Sequence, residues 1–173
     1  MSNMTFILGG ARSGKSQHAV ALAKTINKKT VFIATATASD EEMKNRIRLH
    51  KTSRPKGWDL IEEPVNICDI LDGLKPVYRV ALIDCLGLWI SNLLMTNMND
   101  SAIEKRIKKL CDSVSKAKAG IVIIVSNEVG EGIVPGDALS RRFRDLIGMA
   151  NQVIAARADE VIMMHAGIPV SIK

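Results

Sequence analysis

Aromatic residues are scarce in this 173-residue chain: three phenylalanines, two tryptophans and one tyrosine, 3% in all. Proteins that grip single-stranded nucleic acid stack bases on aromatic side chains, so the shortage argues against that class. The basic balance does not rescue it. Lys and Arg number 24 against 18 Asp and Glu, a formal net charge of +6, but the cations are interspersed with acids and no base-reading motif accompanies them. No nucleic-acid partner is expected, and the charge is left to an anionic small molecule, an anionic membrane surface or plain solvation. The three cysteines, at 68, 85 and 111, are odd in number and lack Cys-x-x-Cys spacing. A disulfide framework and a thiolate zinc site are thereby disfavoured; reduced thiols are expected, and any metal must be held by oxygen. Long apolar runs are missing too, because the best stretch, 80–95, is broken by Asp84, Ser91 and Asn92. No membrane span is expected, and the opening Met1-Ser2-Asn3-Met4 has no cationic lead for an export signal. A cytoplasmic location follows as the expectation.

What is present reads as one domain over residues 1–173, with 47% apolar residues and no internal repeat or low-complexity segment. Short β-branched runs at 4–8, 30–34, 80–83, 121–125 and 160–164 alternate with amphipathic stretches at 15–25, 40–51, 65–71, 88–95, 102–117 and 137–156. Most of the runs are apolar on both faces, as in a parallel sheet covered by helices. The second helix carries a capping box, Ser39 with Glu42, and Arg54-Pro55 stops it just beyond His50.

Gly9-Gly10-Ala11-Arg12-Ser13-Gly14-Lys15-Ser16 fits G-x-x-x-x-G-K-[ST] directly after a strand and directly before a helix. Glycines let phosphate oxygens meet successive backbone N–H groups, the helix N-terminus adds partial positive charge, and Lys15 neutralises the outer phosphates. Ser16 is placed to ligate Mg²⁺. The partner acid in such sites ends a hydrophobic strand, and Asp84 after Val80-Ala81-Leu82-Ile83 supplies one; a turn or capping aspartate is the alternative. A nucleoside triphosphate and magnesium are implied, with no acceptor named.

His50 lies beside Lys51 and Arg54 at a helix end expected near the ligand-binding edge of the sheet. By itself it reads either as a capping histidine or as a neutral imidazole near phosphate, with the cations attracting oxygens and depressing its pKa. His18 and His165 read as structural.

Several further segments then make the whole chain recognisable: Ile33-Ala34-Thr35-Ala36, Arg46-Ile47, Asp84-Cys85-Leu86 with Trp89, Ser126-Asn127-Glu128-Val129-Gly130 with Gly132-Ile133-Val134-Pro135, and Gly167-Ile168 with Ile172-Lys173. Together with the phosphate loop and His50, these resemble the bifunctional adenosylcobinamide kinase / adenosylcobinamide-phosphate guanylyltransferase family of cobalamin biosynthesis. The resemblance implies an α/β fold, a P-loop NTPase of RecA-like type with a mostly parallel sheet flanked by helices. It implies two reactions: phosphorylation of adenosylcobinamide by ATP or GTP, then transfer of GMP from GTP onto adenosylcobinamide phosphate with release of pyrophosphate. His50 corresponds to the family's guanylylated histidine, and Leu49 stands where many relatives carry a second one. Nucleotide contacts carry over to residues 9–16, to Ala34, Thr35 and Ala36, to Lys51, Thr52, Ser53 and Arg54, to Glu62 and to Asp84. A homotrimer is implied in the same way.

Other residues keep two readings. Glu62 suits guanine donors or a ribose hydroxyl, or is a solvated acid beside Glu63. Glu128 orients the acceptor or closes a turn. Arg141, Arg142 and Arg144 form a solvated basic face or reach phosphate. Trp89 reads as core or subunit interface rather than a corrinoid platform. Gly87 departs from relatives that carry a hydroxyl there, which bears on the acceptor rather than on nucleotide binding. A small-molecule kinase without a covalent intermediate and a nucleic-acid-dependent NTPase are the competing classes.

Overall fold

The computed structural model describes residues 2–37, 41 and 55–173. Apart from residue 41, the helix expected at 40–51, with its Ser39/Glu42 cap and His50, Lys51, Thr52, Ser53 and Arg54, lies outside the described residues.

The five expected apolar runs are strands: β1 (Asn3–Gly9), β2 (Thr30–Ala34), β4 (Val80–Asp84), β5 (Ile121–Asn127) and β6 (Glu160–His165). Two strands were not anticipated, β3 (Asp59–Glu62) and β7 (Ile168–Ser171). Both are sheet edges. β3 has only the intermediate–exposed alternation of a half-covered strand, and β7 is exposed at every position and contains Pro169. An edge strand tolerates proline because its N–H is not needed on the open side. The helices are α1 (Lys15–Ile26), α2 (Ile67–Asp72), α3 (Leu86–Met95), α4 (Asp100–Lys116) and α5 (Ala138–Arg157). The start of α4 precedes the apolar periodicity because Asn99 caps it, its Oδ1 accepting from the Ala102 N–H at 2.9 Å. Asp137 caps α5 in the same way through the Ser140 N–H at 2.8 Å.

The seven strands form one sheet in the order β3-β2-β4-β5-β1-β6-β7, parallel except for the β6–β7 pair. That pair is a two-residue hairpin across Ala166 and Gly167, whose φ values of 50° and 84° are those a primed turn demands. Strand alternation divides the core. Phe6, Ile33, Ile83 and Ile124 face the side covered by α2 to α5, where Trp89 is buried, whereas Ile7, Phe32, Leu82 and Ile123 face α1. Ala19 and Ala23, one turn apart on α1 and fully buried, bring that helix close to the sheet. Trp89 thus takes the core reading, its Nε1–H donating to the Val65 carbonyl at 2.8 Å. Among the described residues no helix is long and apolar enough to cross a membrane.

Candidate active site

Every parallel strand ends on the same edge, and pairing register fixes what meets there. Gly9 at the end of β1 is opposite Asn127 on β5 and Met164 on β6. Ala34 is opposite Glu62 on one side and Asp84 on the other, and Asp84 is opposite Val125. The expected residues Ala34, Glu62 and Asp84 therefore share one level, and β5 stands between the phosphate-loop strand and the Asp84 strand. Asp84 and Asn127 have the parity of Leu82 and Val125, the side on which α1 carries Lys15 and Ser16.

The loop leaves β1 at Gly9, where any Cβ would collide with Ser13 Oγ and lie 2.9 Å from the Met164 carbonyl oxygen. It turns through Arg12 (φ 57°) and Gly14 (φ 90°), the N-cap of α1, a conformation that suits glycine. Its shape is braced from outside: the Gly167 N–H donates to the Ser13 carbonyl at 3.1 Å, and Glu128 N–H to the Gly9 carbonyl at 3.0 Å. The last hairpin thus holds the cradle, a role that the sequence signals only through glycine at 167. Ser13 Oγ is buried without a hydrogen-bond partner. Lys15 Nζ lies over the loop and donates to the Gly10 carbonyl at 3.0 Å. Burial holds its pKa below the ordinary lysine value, opposed by the negative charge of Asp84.

Asp84 joins Cys85 through a cis peptide bond, and the junction is clasped by Thr35. The fully buried Thr35 hydroxyl donates to the Cys85 carbonyl at 2.7 Å and accepts from the Cys85 N–H at 2.8 Å, while its own N–H donates to the Asp84 carbonyl at 3.2 Å. Asn92 Nδ2 then ties the Thr35 carbonyl (2.8 Å) to the Pro64 carbonyl (3.0 Å). The Thr35 hydroxyl is thus engaged in holding Asp84 in place. Thr35→Val is expected to strand the buried Cys85 N–H, whereas the Cys85 carbonyl keeps the Trp89 N–H at 3.2 Å. The cost is about 1–3 kcal/mol, seen as a lower urea midpoint with unchanged slope.

The two-way readings resolve unevenly. The Glu128 carboxylate accepts from the Gly130 N–H, closing a turn. Arg141 is exposed and Arg142 and Arg144 are half-buried, as the solvated-face reading expects, and each also makes hydrogen bonds. Arg141 donates to the Pro135 and Gly136 carbonyls (3.0 and 2.6 Å), Arg144 to the Gly130 carbonyl (2.6 Å), and Arg142 to Asp100 and the Met98 carbonyl (both 2.6 Å). They fasten loops to α5. Glu62 is exposed at the end of β3, and Ala36 follows Thr35. All three thiols are buried and their pKa values raised by burial, that of Cys85 up to about 12 with Asp84 adding to the effect.

The oxygen donors Ser16 and Asp84 suit Mg²⁺, which prefers one or two protein oxygens and completes its shell with phosphate and water. No cluster of three or more His, Cys, Asp or Glu capable of holding a metal exists among the described residues, so a dedicated all-protein cage is absent there and the fit is to a nucleotide-bound ion.

A family model described as cobinamide kinase / cobinamide phosphate guanyltransferase matches residues 5–172. The chain is 40% identical to the bifunctional adenosylcobalamin biosynthesis protein CobP of Pseudomonas aeruginosa, over 96% of this chain and 95% of that one. It is 36% identical to the bifunctional adenosylcobalamin biosynthesis protein CobU of Escherichia coli, over 98% and 99%. A solved RadB recombinase shares the fold alone, with a TM-score of 0.56 at 11% identity over 93% of this chain and 73% of that one. The chain belongs to the cobinamide kinase / cobinamide phosphate guanyltransferase family.

Proposed function

We propose that this enzyme performs both reactions of its family on one nucleotide cradle, and that its catalytic domain spans residues 1–173. The observation that carries this reading is the phosphate loop with Lys15 within electrostatic reach of Asp84, in a chain that matches the family almost end to end. In the first reaction the acceptor hydroxyl oxygen of adenosylcobinamide attacks the γ-phosphorus of ATP or GTP. The bond to the β–γ bridging oxygen breaks, the nucleoside diphosphate leaves and the hydroxyl proton passes to water. Main-chain N–H groups of residues 10–16 and the Lys15 ammonium bind the phosphate oxygens. Ser16 and Asp84 would hold Mg²⁺, which would draw charge from the phosphates.

In the second reaction an imidazole nitrogen of His50 attacks the α-phosphorus of GTP, and pyrophosphate leaves. A phosphate oxygen of adenosylcobinamide phosphate then displaces the imidazole, breaking the P–N bond and forming adenosylcobinamide-GDP. Imidazole serves because it is both a good nucleophile at neutral pH and a good leaving group from phosphorus. Lys51, Thr52, Ser53, Arg54, Glu62 and the 34–36 segment are assigned to the nucleotide in this scheme, Thr35 indirectly as the residue that clasps the Asp84–Cys85 junction. A cytoplasmic homotrimer is part of the proposal. It rests on the family resemblance.

The test is direct. Purified protein given adenosylcobinamide, Mg²⁺ and γ-labelled GTP should move label to the corrinoid, and α-labelled GTP should then yield labelled adenosylcobinamide-GDP with one pyrophosphate per turnover. Transfer of the γ-label without any α-labelled product would leave a simple kinase instead.

A further inference from the structure

The connection from β3 to α2 is held by side chains of two other helices. Trp89 Nε1–H on α3 and Arg106 Nη2–H on α4 donate to the Val65 carbonyl at 2.8 and 3.0 Å. Asn92, one turn after Trp89 on α3, donates through Nδ2 to the Pro64 carbonyl at 3.0 Å and to the Thr35 carbonyl at 2.8 Å. Two carbonyls can be met only by the nitrogen end of a carboxamide, so these partners fix its orientation. The Glu63 carboxylate accepts from the Val65 and Asn66 N–H groups at 2.9 and 2.8 Å, and the Glu63 N–H donates to the Ala34 carbonyl at 2.9 Å.

Half-buried Asn92 thereby joins the segment after β2 to the segment after β3. At the Thr35 end the chain is already fixed by three bonds to the 84–85 junction. The joint therefore positions the 62–64 end against an anchored one. That end carries Glu62, level in the sheet with Ala34 and, through it, with Asp84.

We propose that Asn92 is a positioning residue for base selection: by pinning Pro64 to Thr35 it holds Glu62 and the 34–36 segment at the spacing that accepts the N1–H and N2–H donors of guanine. The inference rests on the assignment of those segments to the nucleotide above. A carboxylate at an exposed strand end selects a base only if its backbone holds still, because a hydrogen bond weakens steeply once donor and acceptor leave alignment. Adenine presents an acceptor at N1 and no amino group at C2, so loosening this joint should cost guanine affinity and leave adenine affinity little changed.

Asn92→Leu keeps the volume of the side chain and removes both donors. The ratio of the Kd for ADP to the Kd for GDP is expected to fall about tenfold, through weaker GDP binding. Inorganic tripolyphosphate, which reads the phosphate cradle alone, should bind within about twofold of the unmodified protein, and guanylyl transfer should show a raised KM for GTP with kcat within about threefold. Trp89→Phe removes a bond to the same connection but leaves the Thr35 contact and the Arg106 bond to Val65 in place. It should keep the ratio within about twofold. Should Asn92→Leu not fold, Asn92→Ser gives the same measurement, since a serine hydroxyl is too short to reach both carbonyls. The proposal is overturned if the ratio in the Asn92 variant stays within about twofold of the unmodified protein, if tripolyphosphate affinity falls in step with GDP affinity, or if Trp89→Phe lowers the ratio as much. Glu62→Ala separates the two levels of the argument: an unchanged ratio in that variant would remove the assignment of Glu62 to the base, and the role of Asn92 with it.

Discussion

Alanine at position 50 is expected to give a protein that still phosphorylates adenosylcobinamide but retains no label from α-labelled GTP. The unmodified enzyme should carry a label that is labile in acid and stable in alkali, as a phosphoramidate is. A nucleophile that forms a covalent intermediate cannot be replaced by water in the same pocket without losing the divided reaction path. Guanylyl transfer in His50→Ala should therefore drop by about 10⁴-fold or more, to the assay floor. The γ-phosphoryl reaction never bonds to that imidazole and should stay within a few fold. The contrast between the two half-reactions makes the result specific, because general misfolding would lower both. Label persisting on His50→Ala, or its absence from the unmodified enzyme, would remove the covalent route.

Lys15→Ala should have the opposite signature and lower both half-reactions together, by about 10³-fold, or roughly 4 kcal/mol in each barrier. One cradle handles the triphosphate in either step, so a variant that lost only one step would argue for two nucleotide sites. Stability should move the other way. Burial lowers the Lys15 pKa in the folded protein, so the unfolded chain holds this proton more tightly than the native one. Stability without nucleotide then rises with pH from the lowered value up to the ordinary lysine value, and at neutral pH the charged Lys15 is a net cost. Removing it should leave the thermal midpoint of the nucleotide-free protein equal or slightly higher. Bound triphosphate supplies the opposite charge and raises the pKa again, so nucleotide affinity should fall as pH climbs through the lowered value. A midpoint that drops with activity would mean that Lys15 supports the fold rather than the phosphates.

The phosphate loop and the strand ending in Asp84 were legible because backbone geometry dictates them: glycine where a Cβ collides at 9, positive φ at 14, an apolar run closed by an acid. The edge strands β3 and β7 were not, since neither has two buried faces to leave an apolar signature. The Thr35 clasp was also hidden, because its partner Cys85 is 50 residues away and a hydroxyl gives no hint of which backbone it holds. The loop contacts of the α5 arginines were hidden for a related reason. Four of their bonds go to main-chain carbonyls of neighbouring loops, and a carbonyl is the same at every residue. Residues 50–54, which carry most of the guanylyl chemistry by resemblance, took that role from the resemblance rather than from their spacing and lie outside the described residues.

Cys85 adjoins the carboxylate proposed to hold the metal, yet its thiol is pushed up to about 12 by burial and by Asp84. Thiolate, the form that peroxides and alkylating reagents attack, is then almost absent at neutral pH. The sulfur at this edge acts as packing material rather than a redox handle. A thiolate-selective alkylating reagent should accordingly leave Cys85 unmodified in the folded protein at neutral pH.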